Sequence, residues 1–300
     1  MMDDQKKAKI NIFSFGKQNE IKEIEKFQAH GVGIKIVDSF NDASAIIIST
    51  DAPDFDAVTT EAIHTNKKVY YLSSKPDEWN IENLLIKNSA KNIIGIGRNT
   101  LHELRKCLIK DYFNGQWGID KVLDEDAMIH AEQIVHSKEV NATYEKLIDE
   151  FDLGGFFNSP KDYLRIIANE LASNAFYHAQ ANDEVERQES IFLTKESAIE
   201  IKIGLDSNRI ALSVKDNIGK LNFELIRSSI WRSFQEKKPL DTQRNKGAGL
   251  GLYMVYNYSN QLIFNILPKS KTEIISVIDL NKRFLNYKKT ITSIHINEEG

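Results

Sequence analysis

A chain of 300 residues is long enough for about two domains. With 39 Lys and Arg against 43 Asp and Glu, its formal net charge is −4, which excludes the basic footprint of a dedicated nucleic-acid binder. Hydrophobic residues at 41% supply real cores, while 5 Pro, 15 Gly and 1 Cys exclude collagen-like or Pro/Gly-rich disorder, a disulfide framework and a multi-cysteine zinc site.

No apolar run approaches the ~18 residues needed to cross a bilayer. The charged first ten residues, Met1 to Ile10, do not read as a signal peptide. The expectation is a cytoplasmic protein with no membrane partner.

The first part of the chain alternates strand and helix patterns. Lys9–Phe15, Gly31–Val37, Ala45–Ser49, Lys68–Leu72 and Asn92–Ile96 read as strands. Between and after them, Asn19–Phe27, Val58–His64 and Thr100–Tyr112 carry helical spacing, the last with Leu101, Leu104, Cys107 and Leu108 on one stripe. Such alternation predicts a parallel sheet with crossover helices over residues 8–115, with Cys107 as a buried small hydrophobe.

Residues 116–154 lose that pattern. Asp126–Phe151, rich in Glu, Lys and His, predicts a helical linker able to pair two chains in a homodimer. Ser159-Pro160 then starts a helix to about Ala179, because the hydroxyl caps a free amide and proline fits the first turn. Ile199–Leu205 and Arg209–Val214 alternate with period 2 around Asp206-Ser207-Asn208, a hairpin pattern. Phe223–Phe234 and Leu250–Tyr258 predict helices flanking the polar loop Gln235–Lys246. Leu262–Leu267 and Glu273–Ile278 predict a second strand pair, and Thr290–Ile296 is a candidate added strand within the tail 281–300.

Three blocks of the second domain carry residue types suited to nucleotide chemistry. In Asn169-Glu170-Leu171-Ala172-Ser173-Asn174-Ala175, Glu170 and Asn174 are four apart and share a helix face. A carboxylate there serves as a base and an amide oxygen as a hard ligand for Mg²⁺; His178, another turn on, is a candidate phosphate contact. In Val214-Lys215-Asp216-Asn217-Ile218-Gly219-Lys220, Asp216 is placed to accept a hydrogen bond from an exocyclic amine such as adenine's, and Gly219 permits a sharp turn close to a ligand. In Lys246-Gly247-Ala248-Gly249-Leu250-Gly251-Leu252, glycines open a helix whose first amides and dipole favour phosphate. Alone, each block is common: taken by themselves, Glu170 and Asn174 read as the polar edge of a solvated helix. Their order and spacing make the set specific.

Over residues 155–280 this set resembles the GHKL ATPase family of gyrases, histidine kinases and anti-sigma-factor serine kinases. Glu170 and Asn174 match that family's acid/amide helix motif. Asp216 matches its adenine-reading aspartate, and Gly247, Gly249, Leu250 and Gly251 its glycine-rich motif. Thr272, in Lys271-Thr272-Glu273, matches its late threonine beside the adenine pocket. The chain departs from the family's Asp-x-Gly-x-Gly at Ile218 and Lys220, with Gly219 displaced by one position. The resemblance implies an α/β sandwich binding ATP and Mg²⁺. Asn174 would hold the ion, Lys246 would contact phosphate and Glu170 would act as base.

The first domain is similar to a response-regulator receiver, which implies a doubly wound parallel sheet. Ser14, Phe15 and Gly16 stand where a working receiver has an acidic pair, and Arg98 where it has a lysine. Asp51 and Asp54 are candidates for its aspartate, Ser73 and Ser74 for its hydroxyl. The expectation is a pseudo-receiver that binds partners or dimerises. His130 and His136, expected on the linker helix, are the candidates for an autokinase acceptor, but neither is followed by that family's charged-Pro pattern. The leading expectation is an ATP-dependent signalling protein that transfers phosphate to Ser or Thr of a protein partner or hydrolyses ATP. The alternatives are a catalytically silent nucleotide-dependent switch and a histidine autokinase.

Overall fold

The computed structural model describes residues 9–16, 28–29, 32–97, 99–113, 115, 117–151, 153, 159–179, 190–235, 250–280 and 291–299. It is an α/β protein whose chain divides into two compact units, Met1–Gly115 and Gln116–Gly300. The helix predicted over Asn19–Phe27 lies outside the described residues, as does Arg98.

In the first unit the strands are β1 (Lys9–Phe15), β2 (Gln28–Ala29), β3 (Val32–Val37), β4 (Ala45–Ser49), β5 (Lys68–Ser73) and β6 (Asn92–Gly95). They run in the order β2-β3-β1-β4-β5-β6. All neighbours pair in parallel except the two-residue β2, which is antiparallel to β3. Burial on both faces explains the run Ala45-Ile46-Ile47-Ile48, in which no residue is polar. Helix α1 (Phe55–Ile63) packs on β4. A helical turn α2 (Asp77–Trp79) continues into π-helical turns over Asn80–Lys87, an element the sequence reading missed. Its Asn80 anchors by accepting the Ser73 hydroxyl at 2.5 Å. Helix α3 (Thr100–Tyr112) buries Leu104, Cys107 and Leu108 against Ile12, Ile47, Tyr70 and Ile94, so the thiol is a core group.

The second unit contains β7 (Met128–Ile134), β8 (Ile199–Leu205), β9 (Arg209–Asp216), β10 (Gln261–Leu267), β11 (Lys271–Asp279) and β12 (Ser293–Glu298). Within this unit the order is β12-β10-β11-β9-β8-β7, antiparallel throughout except for parallel β10 and β12. The tail predicted from 281 thus contributes a sheet strand. Helices α4 (Val140–Asp149), α5 (Ser159–Ala179), α6 (Phe223–Gln235) and α7 (Leu250–Tyr258) complete it. α5 packs on β8, β9 and β11 and against α4 and α7. The opposite face is sealed by Ile119, Val122 and Leu123, which pack on Ala211, Ile263, Ile275 and Val277. Strand alternation therefore turns Ile210, Leu212, Val214 and Asp216 toward the helices.

The linker helix expected over Asp126–Phe151 is corrected in its first half. Residues 128–134 form β7, paired antiparallel with β8, and only Val140–Asp149 is helical. Charge content suggested a solvated helix. In fact Met128-Ile129-His130-Ala131-Glu132-Gln133-Ile134 is the edge strand of the unit's sheet among the described residues, where charged residues are tolerated and blunt the edge. The segment belongs to the second unit's sheet rather than joining two units.

Candidate functional site

The blocks are carried in the same unit by two helices, α5 and α7, and by the strands β9 and β11. α5 carries Glu170 and Asn174 one turn apart, both half-buried. Its buried stripe, Leu164, Ile167, Ala168, Leu171, Ala172, Ala175 and Phe176, packs inward and aims the polar pair along the helix flank. The neighbouring Asn169 donates to the Tyr144 hydroxyl at 3.1 Å, fixing α5 against α4. His178 sits in the last turn of α5, but its side chain lies outside the described residues.

Asp216 ends β9 and is 9% exposed. Its Oδ1 accepts the backbone N–H groups of Ile218 at 2.9 Å and Gly219 at 3.0 Å, an Asx turn that shapes the chain leaving the strand. Gly219 adopts φ 64°, which favours glycine. A methyl group on it would meet the Leu267 carbonyl oxygen at 2.5 Å and the Ser270 amide nitrogen at 2.6 Å. Gly219 thus lets this loop lie on the β10–β11 turn, a connection sealed by Lys269 N–H donating to Gly219 O at 2.9 Å. The face it leaves open meets protein backbone.

Across the antiparallel β9/β11 ladder, Thr272 stands directly opposite Asp216. Paired residues point to the same face, so both face the helices. Thr272 is 2% exposed, and its Oγ1 is a buried hydroxyl without a hydrogen-bond partner among the described residues. Such groups are rare, because an unpaired buried hydroxyl costs about 1–3 kcal/mol.

The third block is partly in view. Lys246, Gly247 and Gly249 lie outside the described residues, as does the side chain of Leu250. Gly251 lies in the first turn of α7, and the place its side chain would occupy is filled by the carboxyl group of Glu170. The first and third blocks therefore touch, although 81 positions separate them in sequence.

On the other sheet face lies a buried polar row that the sequence reading missed. Glu273 is 1% exposed and accepts Gly118 N–H at 2.8 Å, the Ser213 hydroxyl at 2.8 Å and Asn265 Nδ2 at 3.0 Å. Asn297 Nδ2 in turn donates to Asn265 Oδ1 at 2.9 Å. The available signal was a polar residue at the core phase of each of four strands. The row locks β9, β10, β11 and β12 together and so fixes the register that sets Thr272 against Asp216. At the opposite end of β9, Arg209 pairs with buried Asp206 at 2.6 Å and reaches Asp124 at 3.4 Å. Burial opposes ionisation of Asp206, but the Asn208 N–H, the Arg209 charge and the Asp124 N–H together hold it below the ordinary carboxylate range.

His130 and His136 are not helical. His130 lies on β7, with Nδ1 2.5 Å from Glu150 Oε2 and its ring edge-on to Phe151. His136 makes a β-bridge with Phe192 and stacks on its ring at 3.9 Å. In the first unit, Asp51 and Ser74 follow neighbouring strands β4 and β5, and the Ser74 hydroxyl donates to the Asp51 carboxyl at 2.7 and 2.8 Å. Lys75 Nζ lies 3.3 Å from Asp51. Asp54 precedes α1 with φ 46°, and Ser73 is tied to Asn80.

Among the described residues, no group of three or more His, Cys, Asp or Glu could hold a metal ion, and no helix is long and apolar enough to cross a membrane. In comparisons with known proteins, no family model and no curated protein matches the chain.

Proposed function

We propose that the second unit is a GHKL-type α/β sandwich that binds ATP with Mg²⁺ and passes its terminal phosphate to Ser or Thr of a protein partner, or to water. The observation that carries this reading is the pair Asp216 and Thr272: a carboxyl group and an unpartnered buried hydroxyl at one register position on the helix side of the sheet. An acceptor for an exocyclic amine beside a group able to bond a ring nitrogen is the donor–acceptor set that adenine requires. Glu170 and Asn174, on the helix crossing that sheet face, are the groups proposed to serve the phosphates.

The donor set suits Mg²⁺, which takes one or two protein oxygens and draws the rest from phosphates and water. Asn174 would supply the side-chain oxygen, and the bound ion would offset phosphate charge. Glu170 accepts the proton of the attacking hydroxyl. Lys246, Gly247 and Gly249 are assigned to the phosphates, with His178 as a further contact.

The first unit is read as a pseudo-receiver. Its parallel strands β3-β1-β4-β5-β6 have the sequence order 2-1-3-4-5 found in flavodoxin-like doubly wound sheets. Ser74 and Lys75 engage Asp51, but Ser14, Phe15 and Gly16 close β1 without an acidic pair, so this unit is assigned to partner binding rather than phosphorylation.

Calorimetric titration of the full chain with ATP and Mg²⁺, followed by incubation with γ-labelled ATP, tests the proposal. Saturable binding with phosphate release, or acid-stable label on a co-purifying protein, is the expected result. Glu170→Ala should retain binding and lose turnover. Binding without turnover supports the nucleotide-dependent switch, and acid-labile label lost on changing His130 or His136 supports an autokinase. A chain that takes up no adenine nucleotide at millimolar ATP overturns the reading.

A further inference from the structure

We propose that Gly251 is a positioning residue: its missing side chain is the space in which the Glu170 carboxyl group is held. The proposal rests on the reading of Glu170 as the base. Glycine inside a helix is about 1 kcal/mol worse than alanine, so its presence in the first turn of α7 needs a cause. The cause is not backbone conformation. Among the described glycines only Gly16, Gly118 and Gly219 have positive φ, so the backbone at Gly251 accepts any L residue. The cause is space. A methyl group built on Gly251 collides with Glu170 Oε2 and comes within 3.0 Å of the carboxyl carbon.

The identity of the obstructing atom decides what a substitution does. At Gly219 the obstruction is main chain, which cannot yield. At Gly251 it is the tip of a three-torsion side chain, which can rotate away at a cost of about 1 kcal/mol. Gly251→Ala therefore leaves α7 and its packing on α5 intact and evicts the carboxyl group instead. The same place suits a carboxylate electrostatically, since the first-turn amides of a helix carry partial positive charge. Gly251 thus acts through Glu170, distinct from the phosphate role assigned to Gly247 and Gly249.

The test is a double-mutant cycle on the full chain with ATP and Mg²⁺, using Gly251→Ala, Glu170→Ala, the double variant, and Glu170→Asp with and without Gly251→Ala. Gly251→Ala should lower turnover by about 10- to 100-fold, the scale of a misplacement near 1 Å, with nucleotide affinity unchanged. In the Glu170→Ala background it should cost nothing further. In the Glu170→Asp background, where the side chain is one methylene shorter, its penalty should shrink. A thermal-unfolding cycle without nucleotide provides an independent readout: Gly251→Ala should raise the midpoint more in Glu170→Ala than in the parent. Additive midpoints, full turnover in Gly251→Ala, or weakened nucleotide binding in both backgrounds overturns the proposal. A parent that binds no nucleotide refutes the ATP reading, and the thermal cycle then decides the Gly251–Glu170 pairing by itself.

Discussion

Replacing Thr272 with valine separates a binding group from a structural one. Valine matches threonine in shape and removes only the hydroxyl, which is buried and makes no hydrogen bond. For an ordinary buried threonine this swap costs stability, because a made hydrogen bond contributes about 0.5–1.5 kcal/mol. Here the bond is unmade, and the folded state carries a desolvation penalty of about 1–3 kcal/mol for the orphaned group. Thr272→Val should therefore stabilise the protein by about 1 kcal/mol, which for a unit of this size is a rise of roughly 2–4 °C in Tm. The same change removes a bond that the proposed ligand would make, weakening ATP by about 3- to 10-fold at one neutral hydrogen bond. Differential scanning calorimetry of the ligand-free chain and ATP titration of the same sample measure both. Opposite signs, higher Tm with weaker binding, are the expected outcome. A Tm that falls would refute the orphaned-hydroxyl argument. A Tm that rises with ATP affinity unchanged would remove Thr272 from the nucleotide pocket.

Asp216→Asn should keep the Asx turn, since an amide oxygen can accept the Ile218 and Gly219 amides, yet present a donor where adenine needs an acceptor. ATP affinity should fall about 10- to 100-fold with Tm nearly unchanged, measured by the same calorimetry; an unchanged affinity would falsify the adenine assignment. Glu273→Ala strands two buried donors, on Ser213 and Asn265, and the part-buried Gly118 N–H, and should cost about 3–5 kcal/mol in chemical denaturation. A loss below about 1 kcal/mol would show the row does not hold the register. The folded-state pKa of Asp206 is depressed, so its contribution is complete above the unfolded carboxylate value near 3.9 and disappears as pH falls through the folded value. Asp206→Asn should flatten the acid limb of the stability curve; an acid limb as steep as the parent's would show that other carboxyls set it. Burial pushes the Tyr71 hydroxyl up to about 12, so its stabilising contribution is full below pH 10 and lost as pH rises through that value. Ultraviolet titration should show Tyr71 ionising well above free tyrosine; titration near 10 would sink the expectation.

How much was legible depended on whether the signal was local. Thr100–Tyr112 and Leu250–Tyr258 are helices over the expected residues; in the first, apolar spacing at 3 and 4 sets a buried stripe without help from elsewhere. Among the parallel strands of the first unit, β4 was readable because burial on both faces leaves Ala45-Ile46-Ile47-Ile48 wholly apolar. β7 was not, because an edge strand keeps charges that look like a solvated helix. The π-helical turns after Trp79 carry no distinctive local pattern and were missed.

The candidate site divides in the same way. Glu170 and Asn174 share a face by helix geometry alone, and Asp216 and Gly219 form their turn within four residues, so the chain order determined both. Register did not follow from order. That Thr272 opposes Asp216, and that its hydroxyl is left unpaired, depends on how β9 and β11 align over eight pairs and on the polar row behind them. That Glu170 fills the void at Gly251 depends on α5 packing against α7. Side-chain type and periodicity are properties of neighbours along the chain, whereas a shared cavity or an orphaned hydroxyl arises between distant segments and exists only once they are packed.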